Sequence, residues 1–277
     1  MMQQYREVQS SLPPGCLLLF RLGDFYEMFE DDAVKGASVL GITLTKRHDM
    51  QMAGIPYHAA DNYVQKILDA GLKVAICEQT EVPKPGKLVN RALTRILTPG
   101  TVLEEDQLDP RSGSWLAALD WDKNGLHAAW LDLSAGIFEI ASESQAEDLV
   151  SCLDALSPTE IVISERLQKQ ELPEEVRWLL KRSVVTVLDR EESESRDPIG
   201  EISRVLGVLS LEGFGIESTH PALPCAASLL RYAGEMLRRT PGNLNRLAWR
   251  RLDETVRVDS ATQRNLEIFE TTKGGRT

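Results

Sequence analysis

The sequence predicts an α/β protein: two domains in succession, with a short helical segment at the end. Three observations predict it. Through roughly the first 110 residues, apolar segments of strand length alternate with segments of helical periodicity, the order that builds a sheet covered by helices. From Trp115 the texture changes to three short apolar segments separated by hairpin-type turns, after which helix and strand signals alternate again. Between the two, an acid-rich stretch with Pro110 and Gly113 reads as a linker. The expected divisions are residues 1–104, the linker 105–114, residues 115–250 and residues 251–277.

The first dozen residues read as a helix, stopped by Pro13-Pro14-Gly15. Leu17–Phe20 is short and continuously apolar, the pattern of a buried strand. Gly23-Asp24 signals a turn, and Phe25–Phe29 a second strand. Asp31-Asp32 is expected to cap a helix that runs to Leu40 and closes at Gly41. Ile42–Lys46 reads as a third strand, and Gly54 and Pro56 as the formers of a turn. Val64, Ile67 and Leu68 form a helical stripe within 61–70, with Gly71 placed as the residue after the C-cap. Val74–Cys77 and Leu93–Leu97 follow as strands, and Gly100 as a turn residue.

In the second domain, Trp115–Leu119, Leu126–Leu131 and Ile137–Ile140 read as a meander joined by turns at 123–125 and 134–136. A helix is expected over Ala146–Leu156, strands over Glu160–Ile163 and Val184–Leu188, and a helix over Ala222–Arg239. Acid-rich Asp189–Asp197 reads as a surface loop or a helix start. Beyond Asp253, an extended Val256–Val258 and a helix over Ala261–Thr271 are expected; the latter has no visible partner, so the sequence reads as cut short.

Composition excludes several classes. The chain has 277 residues, 42% hydrophobic and 26% charged, the proportions of a soluble globular protein. No apolar run approaches the ~20 residues of a membrane span. The opening MMQQYREVQ is polar and carries Glu7, unlike a secretory signal. Cys16, Cys77, Cys152 and Cys225 lie far apart with no CxxC, which excludes a zinc ribbon and favours a reducing cytosol. The net charge of −11 argues against a generic nucleic-acid binder. Charge is unevenly spread, however: Lys84, Lys87, Arg91 and Arg95 stand in a stretch without an acid, and residues 231–257 hold seven arginines against three acids.

The chemistry with the sharpest local logic lies at Gly23–Phe29. Residues two apart on a strand share a face, so Phe25 and Glu27 project together immediately after a tight turn. An aromatic ring there suits wedging into a base step, as minor-groove proteins do when they kink a duplex. A carboxylate beside it suits accepting a hydrogen bond from a base edge, and repels phosphates when no donor is found. The plainer alternative is that Phe25 and Phe29 fill a core and Glu27 is solvated.

The string RLGDFYEMFEDDA (residues 21–33), with TLTKR at 43–47, AGIPYH at 53–58, VAICEQ at 74–79 and ILTPGT at 96–101, resembles the N-terminal part of the MutS family of DNA mismatch-recognition proteins. MMQQY resembles the family's opening, and DSATQRNLE (259–267) the start of its core, or lever, domain; residues 113–250 match more loosely. The resemblance implies an α/β fold: a mixed-sheet mismatch-binding domain, a ribonuclease H-like connector and a short helical start of the lever. It implies that Phe25, in the family's Phe-x-Glu motif, stacks on the mispaired base from the minor groove while Glu27 hydrogen-bonds that base. Mismatched steps are weakly stacked and easily bent, so discrimination would come from deformability rather than from a fixed sequence.

Lys46, Arg47, Lys84, Lys87, Arg91 and Arg95 are candidates for phosphate contacts, which supply affinity without sequence information; a solvated role is the alternative for each. His58 reads as structural. Asp120, Asp122, Asp132 and Glu139 suggest a rival, a metal-dependent nuclease working through Asp120, Asp132 and Glu139, although family connectors are not nucleases. A third reading is a protein-interaction module alone.

The expected partners are mismatched double-stranded DNA and a MutL-like protein through the connector, with no membrane. The full-length family forms homodimers, whereas a monomer is expected here. Neither a catalytic residue nor a metal site is expected in this chain. The full-length family uses ATP and Mg, but no GxxxxGK[ST] occurs here, so no ATPase activity is expected. With clamp and second subunit absent, DNA binding is expected to be weak. The expected location is the bacterial cytoplasm, with the nucleoid.

Overall fold

The computed structural model describes residues 1–47, 49–81, 89–101 and 114–252. The chain divides into two compact units, each built on a six-stranded mixed sheet.

In the first unit, Met2–Ser10 forms α1, Cys16–Leu22 β1 and Phe25–Phe29 β2. Glu30–Leu40 forms α2, Thr45–Arg47 β3, Met50–Pro56 β4 and Ala60–Asp69 α3. Lys73–Gln79 forms β5 and Arg91–Leu97 β6. The sheet order is β3-β4-β2-β1-β5-β6. Only β1 and β5 pair in parallel, and the other neighbours are antiparallel.

Alternation along the strands sorts the side chains onto two faces. Leu17, Leu19, Tyr26, Met28, Ala53, Ile55, Val74 and Ile76 form one core with Ala33, Ala37 and Leu40 of α2 and Val64, Ile67 and Leu68 of α3. The other face carries Leu18, Phe20 and Phe29 under α1. The fully buried Tyr5 ring stands edge-on to Phe20 (centroids 5.5 Å apart) and to Phe29 (5.0 Å).

Asp32 does not cap α2. That helix begins after Phe29 with no side-chain cap, and Asp32 is buried instead. Its Oδ2 accepts hydrogen bonds from Tyr5 Oη (2.8 Å), Gln9 Nε2 (3.1 Å) and the Leu18 amide (3.2 Å). One carboxylate thereby ties α1 and β1 to α2. Gly41, in the left-handed region at φ 66°, closes the helix as expected.

The region around Gly54 differs from its expectation. Gly54 and Pro56 do not form a turn; both lie in β4, a seven-residue strand between β2 and β3. The third strand is correspondingly displaced, to Thr45–Arg47. Gly and Pro suppress the strand signal locally, but the ladder to β2 supplies the missing stabilisation.

In the second unit, Trp115–Asp122 (β7), Gly125–Asp132 (β8) and Ile137–Glu143 (β9) form the antiparallel meander. Ala146–Leu156 (α4) leads to Glu160–Ser164 (β10), Glu165–Gln168 (α5) and Glu174–Arg182 (α6). Then come Val184–Leu188 (β11), Arg190–Ser193 (α7), Pro198–Leu206 (α8), Leu223–Leu237 (α9), of which residues 223–232 belong to this unit, and Ala248–Trp249 (β12). The order is β11-β10-β7-β8-β9-β12, with β10 parallel to both β7 and β11. A meander extended by two parallel strands is the ribonuclease H-like arrangement. The acid-rich segment starts a helix, because Asp189 and Glu192 form a reciprocal capping box on α7. All four cysteines are free thiols.

Among the described residues, no helix is long and apolar enough to cross a membrane. Residues 105–113 of the expected linker at 105–114, and the expected elements beyond Asp253, lie outside the described residues.

Candidate nucleic-acid interface

The site begins with the hairpin between β1 and β2. Leu22 pairs with Phe25, leaving Gly23-Asp24 as a two-residue loop with Gly23 at φ 60°. A glycine with positive φ at the first central position suits the twist of the flanking strands. Tyr57 at the end of β4 donates its amide to Asp24 O at 3.0 Å, fixing the loop from the other side.

Phe25 therefore stands at the open end of β2 on a pinned backbone, and its side chain does not fill the core: 46% of the residue is exposed. Phe29, four residues on and on the same face, is buried. Glu27 lies between them, half-buried, opposite Phe20 on β1 and Gly54 on β4. Among the described residues nothing donates a hydrogen bond to its carboxylate. Loss of solvation on burial pushes the Glu27 carboxyl above the ordinary glutamate range, and the Arg47 guanidinium partly opposes that. The intervening Tyr26 faces the core and donates its hydroxyl to Glu78.

The structure sorts the basic candidates. Lys46 and Arg47 are both exposed on β3. Arg47 pairs with Met50 and so shares the face of Glu27, whereas Lys46 pairs with Gln51 and projects from the opposite face. Arg91 has internal partners: it donates to Arg21 O (2.7 Å), Val89 O (2.8 Å) and Gln4 Oε1 (3.3 Å), and lies 5.0 Å from the Phe20 ring centre. Arg95 is half-buried opposite Ile76. Lys84 and Lys87 lie outside the described residues.

Sequence reasoning missed two features beside Phe25. Gly54 sits in a strand where a turn was expected. Arg21 packs its guanidinium 3.5 Å from the centre of the exposed Tyr57 ring, an arrangement with no local sequence signal. His58, expected to be structural, is exposed and stands edge-on to Tyr57.

The nuclease alternative is not supported by the geometry. Asp120 pairs with His127 across the β7–β8 ladder, while Asp132 pairs with Trp115 at the other end. Five residues of strand separate those positions, roughly 17 Å, against the ~4 Å between ions of a two-metal site. Each acid also has a structural partner. Asp120 pairs with Arg166, and Asp122 with His127 Nε2 at 3.0 Å. Asp132 caps its own turn through the Ser134 and Ala135 amides (2.8 and 3.1 Å), and Glu139 accepts from Trp130 Nε1 (2.9 Å) and Arg250 (3.2 Å).

Near Asp120, a cavity of about 570 Å³ opens at the carboxyl ends of β7, β10 and β11. Its cations are each matched with an acid: Arg166 with Asp120, Lys169 with Glu165, and Arg190 with Glu194. Among the described residues, no group of three or more His, Cys, Asp or Glu side chains is placed to hold a metal.

Residues 1–106 match the family model for MutS domain I, and residues 114–247 that for MutS domain II. The chain is 38% identical over 284 residues to the DNA mismatch repair protein MutS of Myxococcus xanthus, covering 99% of this chain and 31% of that protein. It is 38% identical over 281 residues to the protein of the same name from Anaeromyxobacter sp. strain K, covering 100% of this chain and 31% of that protein. The chain thus spans 31% of the length of these relatives.

Proposed function

Because the chain belongs to the MutS family and carries its domains I and II, we propose that it recognises mispaired or unpaired bases in duplex DNA. Phe25 is the wedge and Glu27 its polar companion. The observation that carries this reading is the pairing, on one face of a pinned hairpin strand, of a half-exposed phenyl ring with a carboxylate that receives no hydrogen bond among the described residues. The relatives are named for the repair of DNA mismatches, which fits that chemistry.

The ring enters a base step from the minor groove and stacks. Unstacking a normal step costs a few kcal/mol, and a mismatched step costs less because it is already poorly stacked. Glu27 accepts a hydrogen bond from a base donor freed by mispairing. On matched DNA the step stays stacked and resists the wedge, so the carboxylate is not carried to a base donor and faces phosphates, which disfavours binding. Arg47, on the same face, contributes a phosphate contact that holds the duplex without reading it. This sequence contains no GxxxxGK[ST] segment to cradle a nucleotide's phosphates.

The test compares a G·T or unpaired-T duplex with its matched twin at low ionic strength. Base–aromatic stacking contributes about 1–3 kcal/mol by alanine substitution, so Phe25→Ala should lower mismatch affinity roughly 5- to 150-fold. Matched DNA should bind the variant about as well as the wild type. Retention of the full mismatch preference by Phe25→Ala would refute the wedge.

A further inference from the structure

We propose that Gly54 is a specificity-determining residue, whose missing side chain keeps open the notch through which a base edge reaches Glu27. The inference rests on the reading of Phe25 and Glu27 as the mismatch-contacting pair. Gly54 lies directly across the ladder from Glu27, and Pro56, two residues on, lies across from Phe25. All four positions share one face of the sheet. Gly54 is exposed, whereas its neighbours Ala53 and Ile55 point to the opposite side and are buried.

The folded protein has no need of a glycine there. The Gly54 backbone lies outside the left-handed region, so its conformation is open to any L-residue. Nor is space short. An added Cβ would meet Glu27 Cγ at 3.5 Å, Tyr26 O at 3.5 Å and Phe25 Cδ1 at 3.9 Å, ordinary van der Waals distances. Gly36 shows what a packing requirement looks like in the same unit: a Cβ there would come within 2.3 Å of Met28 Sδ. Glycine inside a strand also lowers stability, because it loses more conformational freedom on folding and packs nothing. Among the described residues, position 54 therefore forgoes stability with no backbone reason and no obstacle to a Cβ.

The reason lies outside the chain. Glycine in a strand interior marks close approach by a ligand or another backbone. The side-chain atoms nearest the absent Cβ belong to Glu27 and to the proposed wedge, Phe25. A branched side chain would fill the space beside both, shielding the carboxylate from a base edge and standing where the duplex must close on the ring. It would leave the phosphate contacts of matched DNA untouched.

Gly54→Ala and Gly54→Val are compared with wild type and with Phe25→Ala, using the chain as it stands. Two quantities are read: the denaturation midpoint, and affinity for a G·T duplex against its matched twin. Gly54→Val should denature at the same or higher denaturant concentration, yet lose mismatch affinity at least tenfold with matched affinity unchanged. Gly54→Ala should fall between Val and wild type. In the Phe25→Ala background, Gly54→Val should cause no further loss. Stability and recognition moving apart is a result that a merely structural glycine cannot produce.

If Gly54→Val keeps the wild-type preference while Phe25→Ala loses it, the inference fails and the wedge stands. A variant destabilised by Val would show that the glycine is structural, again overturning the inference. If Phe25→Ala keeps the preference, the wedge itself fails, and this inference with it.

Discussion

Asp32 offers the most direct link between a single side chain and the framework behind the hairpin. It is 4% exposed, and its Oδ2 accepts hydrogen bonds from Tyr5 of α1, Gln9 of α1 and the Leu18 amide of β1. In Asp32→Ala the three donors fare differently. The Leu18 amide stays buried with no acceptor, costing about 1–3 kcal/mol. Tyr5 retains Phe29 O at 3.3 Å, and Gln9, only partly buried, turns to water, so each adds little. Relief of the buried charge offsets part of the loss, leaving roughly 2 kcal/mol. That corresponds to about 30-fold faster exchange of the β1 and α1 amides wherever exchange follows unfolding of this unit. Asp32→Asn keeps an acceptor for Leu18 and Tyr5 and should cost less than about 1 kcal/mol.

The pH dependence has a definite sign. Desolvation holds the Asp32 carboxyl above its ordinary value despite the hydrogen bonds from Tyr5 and Leu18. The folded state therefore binds the proton more tightly than the unfolded state. The stability Asp32 contributes is full below the ordinary aspartate pKa and declines as pH rises through the raised value. The Asn variant lacks this term, so its disadvantage should shrink as pH increases from acid to neutral. Hydrogen exchange read by mass spectrometry on peptides covering 2–10 and 16–22 tests both statements. Wild-type protection of β1 in Asp32→Ala would refute the reasoning. The five tryptophans all lie between Trp115 and Trp249, so their fluorescence follows the second unit separately.

Two further outcomes bear on recognition. Glu27→Gln removes the charge and keeps the hydrogen-bonding shape, so it should bind matched DNA more tightly; unchanged matched affinity in titrations would rule out repulsion as the discriminator. Because burial raises the Glu27 carboxyl, wild-type stability should decline relative to this variant as pH rises through that raised value, which paired denaturation curves can measure. Arg91→Ala should cost stability, about 1–3 kcal/mol for the lost hydrogen bonds and the contact with Phe20. Its salt dependence of DNA binding should not change. A slope smaller by about one would instead identify Arg91 as a phosphate contact.

Most of the helix and strand cores were legible because their signals are local. The stripe of Val64, Ile67 and Leu68, the apolar run into Phe20 and the turn at Gly23-Asp24 each announce their element within a few residues. Among the elements without a clear local signal, α6 and α8 are nine residues each. Helices of that length are marginal alone and form because Val176, Leu179, Ile202 and Leu206 find buried positions. The strand β4 was hidden by Gly54 and Pro56, residues that argue for a turn until a neighbouring strand supplies the ladder.

The sequence alone determined that Phe25 and Glu27 share a face behind a tight turn, because the period of two is a property of any extended backbone. Only the tertiary structure decided what surrounds them. Strand order and register brought Gly54 opposite Glu27, Arg47 onto its face and Asp32 beneath α1, while drawing Arg91 inward toward Phe20. Those neighbours are fixed by pairings between residues distant in the chain, which no local periodicity encodes. The exposure of the phenyl ring follows from the same cause: α1 covers Phe20 and Phe29 and leaves Phe25 open.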